Sequence, residues 1–264
     1  QDLNISLPTS ENLSVKTTVM SVERLGSRTI RVRLSVPDQY EYRAGQYLRV
    51  FHPNGESRNY SIASLPGIDN FLELHLRIVP GGLLSNWFAT EIKSGDEIYI
   101  GEAIGDCYYT EDDKHKPLLL IGNGTGLAPL YGILRDALAK KHLGHIFLYH
   151  GSREPDDLYL HSTLNKLNQL TGFTYVPSIS STSQIDPEEN AYRRGRCNEL
   201  ALADYPQLTA WRAYICGNAN MVKSAQRAVF LAGAAMSDIF VDSFLPTNPS
   251  QAVLGDDLNT NKAG

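Results

Sequence analysis

The sequence predicts two domains in series: a small antiparallel β-barrel, then an α/β domain on a parallel sheet covered by helices on both faces. Three observations carry this. Short runs before residue 113 alternate apolar and polar residues and are punctuated by turn residues. From Pro117 onward, continuous apolar runs alternate with stretches of helical spacing. Between the two textures lies the charged run Asp112-Asp113-Lys114-His115-Lys116, read as the domain boundary. A chain of 264 residues with 42% hydrophobic content is long enough for two cores.

In the first half, Thr29 to Leu34, Tyr47 to Val50 and Phe71 to Val79 alternate with period two and read as half-buried strands. Pro37-Asp38, Pro53-Asn54-Gly55, Pro66-Gly67, Pro80-Gly81-Gly82 and Ser94-Gly95-Asp96 are the turns. Even spacing of this kind suits a barrel. One short helix is expected from Leu84 to Ala89. In the second half, Pro117 to Ile121, Ile146 to Tyr149, Phe173 to Ile179, Ala213 to Cys216 and Ile239 to Phe244 are five strands. Leu127, Leu130, Tyr131, Leu134 and Leu138 mark one helix, Leu160, Leu164 and Leu167 another, and Ala219 to Ala232 a third. The predicted domains are 12–113 and 114–245, with 246–264, polar and aperiodic, as a flexible tail.

The bulk numbers exclude several classes. A net charge of -5 and a pI near 5.8 argue against a nucleic-acid surface. No stretch approaches the ~18 apolar residues that would suggest a membrane span. Cys107, Cys197 and Cys216 are odd in number and widely spaced, so neither a disulfide framework nor an iron–sulfur cluster is expected within this chain. Buried thiols and a cytoplasmic location follow. The seven histidines form no metal pattern, and His142 and His145 are expected at the surface.

The chemistry concentrates first at Gly122-Asn123-Gly124-Thr125-Gly126, between an apolar strand and an amphipathic helix. Glycines let backbone approach a ligand, and the helix start behind them offers free N–H groups and a positive dipole end. That combination suits a pyrophosphate, although the spacing is not the usual Gly-x-Gly-x-x-Gly.

Four segments in order then resemble the ferredoxin–NADP reductase superfamily. Arg58-Asn59-Tyr60-Ser61 matches its Arg-x-Tyr-Ser flavin strand. Val79-Pro80-Gly81-Gly82-Leu83-Leu84-Ser85 is similar to its flavin-phosphate loop. Gly124-Thr125-Gly126-Leu127-Ala128-Pro129 is similar to its nucleotide loop, and Cys216-Gly217-Asn218-Ala219-Asn220-Met221-Val222 to its Cys-Gly-x-x-x-Met-Val segment. The resemblance covers about Val15 to Leu245. It implies a six-stranded FAD barrel, a five-stranded Rossmann-like NAD(P) domain, and an FAD-dependent NAD(P)H reductase in which hydride passes from nicotinamide to flavin N5.

Site residues follow from the same likeness. Arg58 would meet the FAD pyrophosphate, Tyr60 the isoalloxazine ring and Ser61 flavin N5, with Asn59 beside them. His75, Arg77, Ile78, Gly81, Gly82, Leu83, Leu84 and Ser85 would complete the flavin cradle. Gly124, Thr125, Gly126 and Pro129 would hold the dinucleotide, Cys216, Gly217 and Met221 would flank the nicotinamide, and Phe244 would cover the flavin from a closing strand that also contains Asp242. Three residues depart from the pattern: Asn123 replaces a small residue, and Asn218 and Asn220 replace prolines.

At the end of the second parallel strand, Ser152 and Arg153 would suit a 2′-phosphate. The whole Gly151-to-Tyr159 segment nevertheless resembles NADH-using oxygenase reductases, so NADH is expected, with NADPH as the alternative. Residues 1–11 resemble the linker after a [2Fe–2S] domain. The expected acceptor is therefore an iron–sulfur domain or ferredoxin, with an oxygenase beyond it. The alternatives are a same-fold flavin, ferric or haem reductase and a non-catalytic flavin-binding sensor subunit.

Overall fold

The computed structural model describes residues 14–181 and 192–244. The expected linker, 1–11, and the tail beyond residue 245 lie outside them. Six antiparallel strands come first: β1 (Val15–Arg24), β2 (Thr29–Ser35), β3 (Tyr47–Phe51), β4 (Ser57–Ser61), β5 (Phe71–Arg77) and β6 (Glu97–Ile100). Their order is β4-β3-β6-β1-β2-β5, and a bridge from Ile62 to Leu74 joins the two edges into a barrel. Helix α1 (Leu83–Thr90) plugs one end, burying Leu84, Trp87 and Phe88 against Val32, Leu48, Leu74 and Ile98.

The second sheet contains β7 (Leu118–Asn123), β8 (Ile146–Ser152), β9 (Phe173–Ile179), β10 (Arg193–Arg194), β11 (Arg212–Asn218) and β12 (Ile239–Phe244). All are parallel, in the order β10-β9-β8-β7-β11-β12. The sequence predicts five strands; the sixth is β10, two exposed arginines with no apolar pattern to announce it. Helices α2 (Leu127–Ala139) and α3 (His161–Leu167) cover one face, and α4 (Cys197–Asp204) and α5 (Ala219–Leu231) the other. The continuous apolar run of β7 is buried on both faces, as its pattern requires. α4 has no legible pattern because its buried stripe is only Cys197, Asn198 and Ala201.

The strand order places a topological switch point between β7 and β11. There the chain departs to opposite sides, leaving a crevice beyond the carboxyl ends of these two strands.

The two sheets are tied together by polar contacts. Arg135 of α2 makes a bidentate pair with Asp69, both arms 2.8 Å. Arg28 pairs with Asp157, and Tyr159 meets His75 of β5. α2 approaches the barrel at Gly132, where a Cβ would lie 3.1 Å from the Ile62 carbonyl and 3.2 Å from the Ala44 methyl.

Candidate active site between the barrel and the switch point

Strand β4 carries Arg58 to Ser61 along the barrel edge. Arg58 donates to the Ser57 carbonyl at 2.7 Å and reaches Glu56 at 3.5 Å, with its side chain 39% exposed. Tyr60 packs partly into the barrel core, and burial pushes its phenol up, so it stays a neutral donor. Asn59 is exposed and faces Arg49. Ser61 is buried, and its hydroxyl donates to Asp242 Oδ2 at 2.9 Å. Asp242 lies on β12 in register with Cys216 of β11. Burial pushes the Asp242 carboxyl up, opposed by the Ser61 hydrogen bond. Nothing local in the sequence joins Ser61 to Asp242; only the meeting of barrel edge and switch point does.

The glycine loop is a 3₁₀ turn, Gly124–Gly126, leading directly into α2. Gly124 has φ +53°, in the left-handed region. A Cβ on Gly126 would stand 2.2 Å from the Cys216 carbonyl oxygen, so only glycine lets the two crossover loops touch. The departures are matched to each other. Asn123 Oδ1 accepts the Asn218 N–H at 2.9 Å, a bond that proline at 218 has no N–H to make. Asn218 in turn caps α5, accepting from Asn220 N at 2.9 Å and Met221 N at 3.4 Å. Met221 packs against the core and Pro129 is buried in the first turn of α2.

Several side chains differ from the expected cradle. His75 is enclosed: Nε2 meets Glu73 Oε1 at 2.9 Å and Nδ1 meets the Tyr159 hydroxyl at 3.3 Å. A carboxylate only accepts, so Nε2 carries the proton and the phenol donates to Nδ1. Burial pushes the His75 imidazole down, which keeps it neutral. Its ring is thus committed to the domain interface rather than to a ligand. Leu84 is a barrel-core side chain. The Ser85 hydroxyl accepts the Val79 N–H at 3.2 Å and lies 3.4 Å from the Gly82 carbonyl; it folds the Pro80-Gly81-Gly82 loop instead of facing out. The Cys216 thiol points into the core, 3.6 Å from Cys107 Sγ, and burial raises it well above the usual thiol range. It is the Cys216 backbone that faces the glycine loop. His142 and His145 are half-buried rather than superficial, bonded to Tyr109 and Thr174.

Other positions remain open to a ligand. Leu83 is exposed, Ile78 is partly buried with its N–H on the Arg28 carbonyl, and Gly81 turns at φ +73°. Arg77 has a nitrogen 3.4 Å from where a Gly124 Cβ would sit, and no ion pair is formed with it among the described residues. Gly217, at φ +133°, lies beside Asn123, and Phe244 ends β12 half-buried, in register with Asn218. Ser152 donates to the Glu154 carbonyl at 2.6 Å, and Arg153 is 80% exposed with Glu154 at 3.8 Å. A phosphate-bearing dinucleotide fits this chemistry: a glycine-only crossing, a helix N-terminus and a guanidinium with no ion pair among the described residues converge at the switch point.

Comparison with known proteins agrees with that geometry. Residues 16–109 match the oxidoreductase FAD-binding domain family, and residues 120–227 the oxidoreductase NAD-binding domain family. The chain is 34% identical over 235 residues to the ferredoxin–NAD(P)⁺ reductase component of the naphthalene 1,2-dioxygenase system of Pseudomonas putida, covering 88% of this chain and 69% of that protein. It is 36% identical to the reductase subunit of an Amycolatopsis aromatic O-demethylase, covering 80% of this chain and 63% of that protein. A crystal structure of an Amycolatopsis cytochrome P450 reductase superposes with a TM-score of 0.81 at 33% identity, covering 88% of this chain and 70% of the other. A ferredoxin NADP⁺ reductase from Neisseria gonorrhoeae with bound FAD and NADP shares the fold, at TM-score 0.76, 24% identity, and 87% and 98% coverage.

A barrel and a switch-point crevice meeting at Ser61 and Asp242 define a two-domain flavin- and nicotinamide-dependent oxidoreductase. The chain belongs to the family of oxidoreductases with an FAD-binding and an NAD-binding domain that includes the ferredoxin–NAD(P)⁺ reductase components of naphthalene 1,2-dioxygenase systems, and it spans only part of the length of those relatives.

Proposed function

We propose that this chain takes reducing equivalents from NADH at the switch point and delivers them, through FAD on the barrel edge, to an iron–sulfur centre that serves an oxygenase. The observation that carries the reading is the Ser61–Asp242 hydrogen bond, which brings flavin strand and nucleotide crevice into contact at 2.9 Å. When bound, FAD accepts two electrons from the nicotinamide and releases them singly.

The chain's own residues do the rest. Arg58 offers guanidinium N–H groups to the FAD pyrophosphate, and Tyr60 supplies a flat apolar wall with a neutral hydroxyl. Ser61, oriented by Asp242, would offer its oxygen where the flavin strand meets the nucleotide crevice. The Gly124–Gly126 turn and Arg77 hold the dinucleotide phosphates. NADH is favoured because the Ser152 hydroxyl is engaged by the Glu154 carbonyl and the Glu154 carboxylate stands 3.8 Å from Arg153, where it would repel a 2′-phosphate approaching the exposed guanidinium. Buried free thiols agree with a cytoplasmic setting. Among the described residues no helix is long and apolar enough to cross a membrane.

The test is the visible spectrum of the purified protein followed by anaerobic NADH addition. Bound flavin that bleaches with NADH faster than with NADPH is expected. Flavin that neither nucleotide bleaches identifies a binding subunit, and a preference for NADPH reverses the nucleotide assignment. Arg58→Ala is expected to lose FAD on dilution roughly tenfold more readily, as loss of a charge-assisted phosphate contact implies; retention equal to the parent would displace the pyrophosphate from Arg58.

A further inference from the structure

His150 lies in the middle of the nucleotide domain, and none of the roles assigned so far falls to it. It sits near the end of β8, beside Gly122 of β7, and is wholly buried. Its Nε2 is 3.1 Å from the Gly124 carbonyl oxygen. A carbonyl only accepts, so Nε2 carries the proton. Nδ1 then has a bare lone pair, and it finds no partner among the described residues. Burial pushes the imidazole down to about 4, so the ring is neutral near physiological pH.

A buried histidine with one orphaned nitrogen is a poor filler for a core. Leaving such an atom unpaired carries a desolvation cost that an aliphatic side chain would avoid. What the histidine supplies in return is a single fixed donor aimed at one atom of the glycine loop. That atom is the Gly124 carbonyl oxygen, which also accepts the Leu127 N–H as the 3₁₀ turn closes.

The peptide plane between Gly124 and Thr125 makes the consequence definite. In a trans peptide the C=O and the following N–H point in opposite directions. With the carbonyl drawn inward by His150, the Thr125 N–H is turned outward at the start of α2, where helix N–H groups have no carbonyl one turn earlier. The Gly124 carbonyl thus takes two donors, the Leu127 N–H along the turn and the His150 Nε2–H from β8, and the second braces the direction of this plane from outside the turn.

The His150 ring is itself held. Tyr159 meets it edge-on, with ring centroids 5.7 Å apart, and meets His75 of the barrel in the same manner at 5.3 Å. The Tyr159 hydroxyl to His75 and the His75 ring to Glu73 continue the contact into β5. Glu73 ends the series on Arg33 at 2.8 Å. The glycine loop is thus referenced, through buried rings, to the flavin barrel.

We infer that His150 is a positioning residue for nucleotide binding: its Nε2–H holds the Gly124 carbonyl inward so that the Thr125 N–H stands ready for a dinucleotide pyrophosphate. The inference rests on the assignment of the Gly124–Gly126 turn to that pyrophosphate.

The experiment titrates the FAD-loaded protein with ADP-ribose, which keeps the pyrophosphate, and with adenosine, which lacks it. His150→Leu is expected to weaken ADP-ribose roughly fivefold and to raise the KM for NADH in parallel, because one hydrogen-bond donor is lost. Adenosine affinity and the flavin reduction rate at saturating NADH should stay within about twofold. His150→Gln, whose amide N–H reaches a similar point, should restore most of the ADP-ribose affinity. Equal loss of both ligands, or no rescue by glutamine, would reduce His150 to a packing residue and overturn the inference. Should His150→Leu not fold, the wild-type Thr125 amide decides: its ¹⁵N resonance must shift with ADP-ribose and not with adenosine, and a stationary resonance refutes the proposal. Gly126→Ala separates the two levels. If it leaves ADP-ribose binding intact, the loop assignment itself is wrong; if it abolishes binding while His150→Leu does not weaken it, only the role of His150 falls.

Discussion

Ser61 and Asp242 stand 181 positions apart in the chain and 2.9 Å apart in the fold. Asp242 is a carboxylate held largely out of water, and its ionisation works against the folded state. Burial raises its folded pKa above the usual carboxylate value, so between those two values the folded chain binds more protons than the unfolded one. Stability therefore falls as pH rises through that window. Asp242→Asn keeps the acceptor for Ser61 and removes the ionisation. It should melt higher than the parent at about pH 7, with the difference shrinking toward about pH 4, while anaerobic flavin reduction by NADH slows. A pH-independent difference in melting would contradict the assigned burial cost. Asn123 and Asn218 teach the same lesson about distance. Read singly they are departures from a family pattern, and read together they are one hydrogen bond between two loops.

Elements add what single residues lack. β5 alternates in sequence, and alternation predicts one wet face. Instead Glu73 and His75 are both 3% exposed, because the second domain covers the face the pattern assigns to water. Burial alone would raise the Glu73 carboxyl; His75 and Arg33 outweigh it and hold Glu73 below the usual range. The charged boundary run also has an element-scale role. Asp112 accepts both arms of Arg212 at 2.7 Å, and Arg212 on β11 also reaches Asp238 at 2.9 Å. Lys116 joins the same Asp238 at 2.9 Å. The Arg212 side chain is 3% exposed, so this is an interior anchor for the start of β11 rather than a solvated loop. Arg212→Met is expected to cost about 2–3 kcal/mol in denaturant unfolding, below the largest losses for broken buried pairs because Lys116 still serves Asp238 and Asp112 faces water. A loss under about 0.5 kcal/mol would mean the network is spectator charge.

At the scale of the whole molecule, the proposed hydride transfer would need the barrel edge and the nucleotide crevice held in a fixed mutual orientation. At the interface Gly132 lets α2 lie against Ala44 and Ile62, and the Asp69–Arg135 pair ties α2 to the barrel. Asp69→Ala should leave FAD content unchanged and slow flavin reduction at saturating NADH roughly tenfold, as small errors in approach are costly in rate. If the reduction rate is unaffected, the orientation of the domains is set elsewhere, with Arg28–Asp157 and Tyr159–His75 the remaining ties.

The boundary between sequence and tertiary information follows from the range of the forces involved. Period-two runs, helical spacing and the Gly124-Thr125-Gly126 turn depend on neighbours a few positions away, so the barrel, the α/β domain and the tight turn between β7 and α2 are legible in the amino-acid sequence by itself. The Arg58-to-Ser61 strand is legible as well, through its likeness to a known flavin strand. The two-arginine strand β10 and the weakly patterned α4 are not, since each is held by the sheet it joins. Nor are the inward turns of His75, Ser85 and the Cys216 thiol, or the bonds from Ser61 to Asp242 and from His150 to Gly124. Those depend on which surfaces meet once both domains have folded, and burial then decides which polar atoms face each other and which face a ligand.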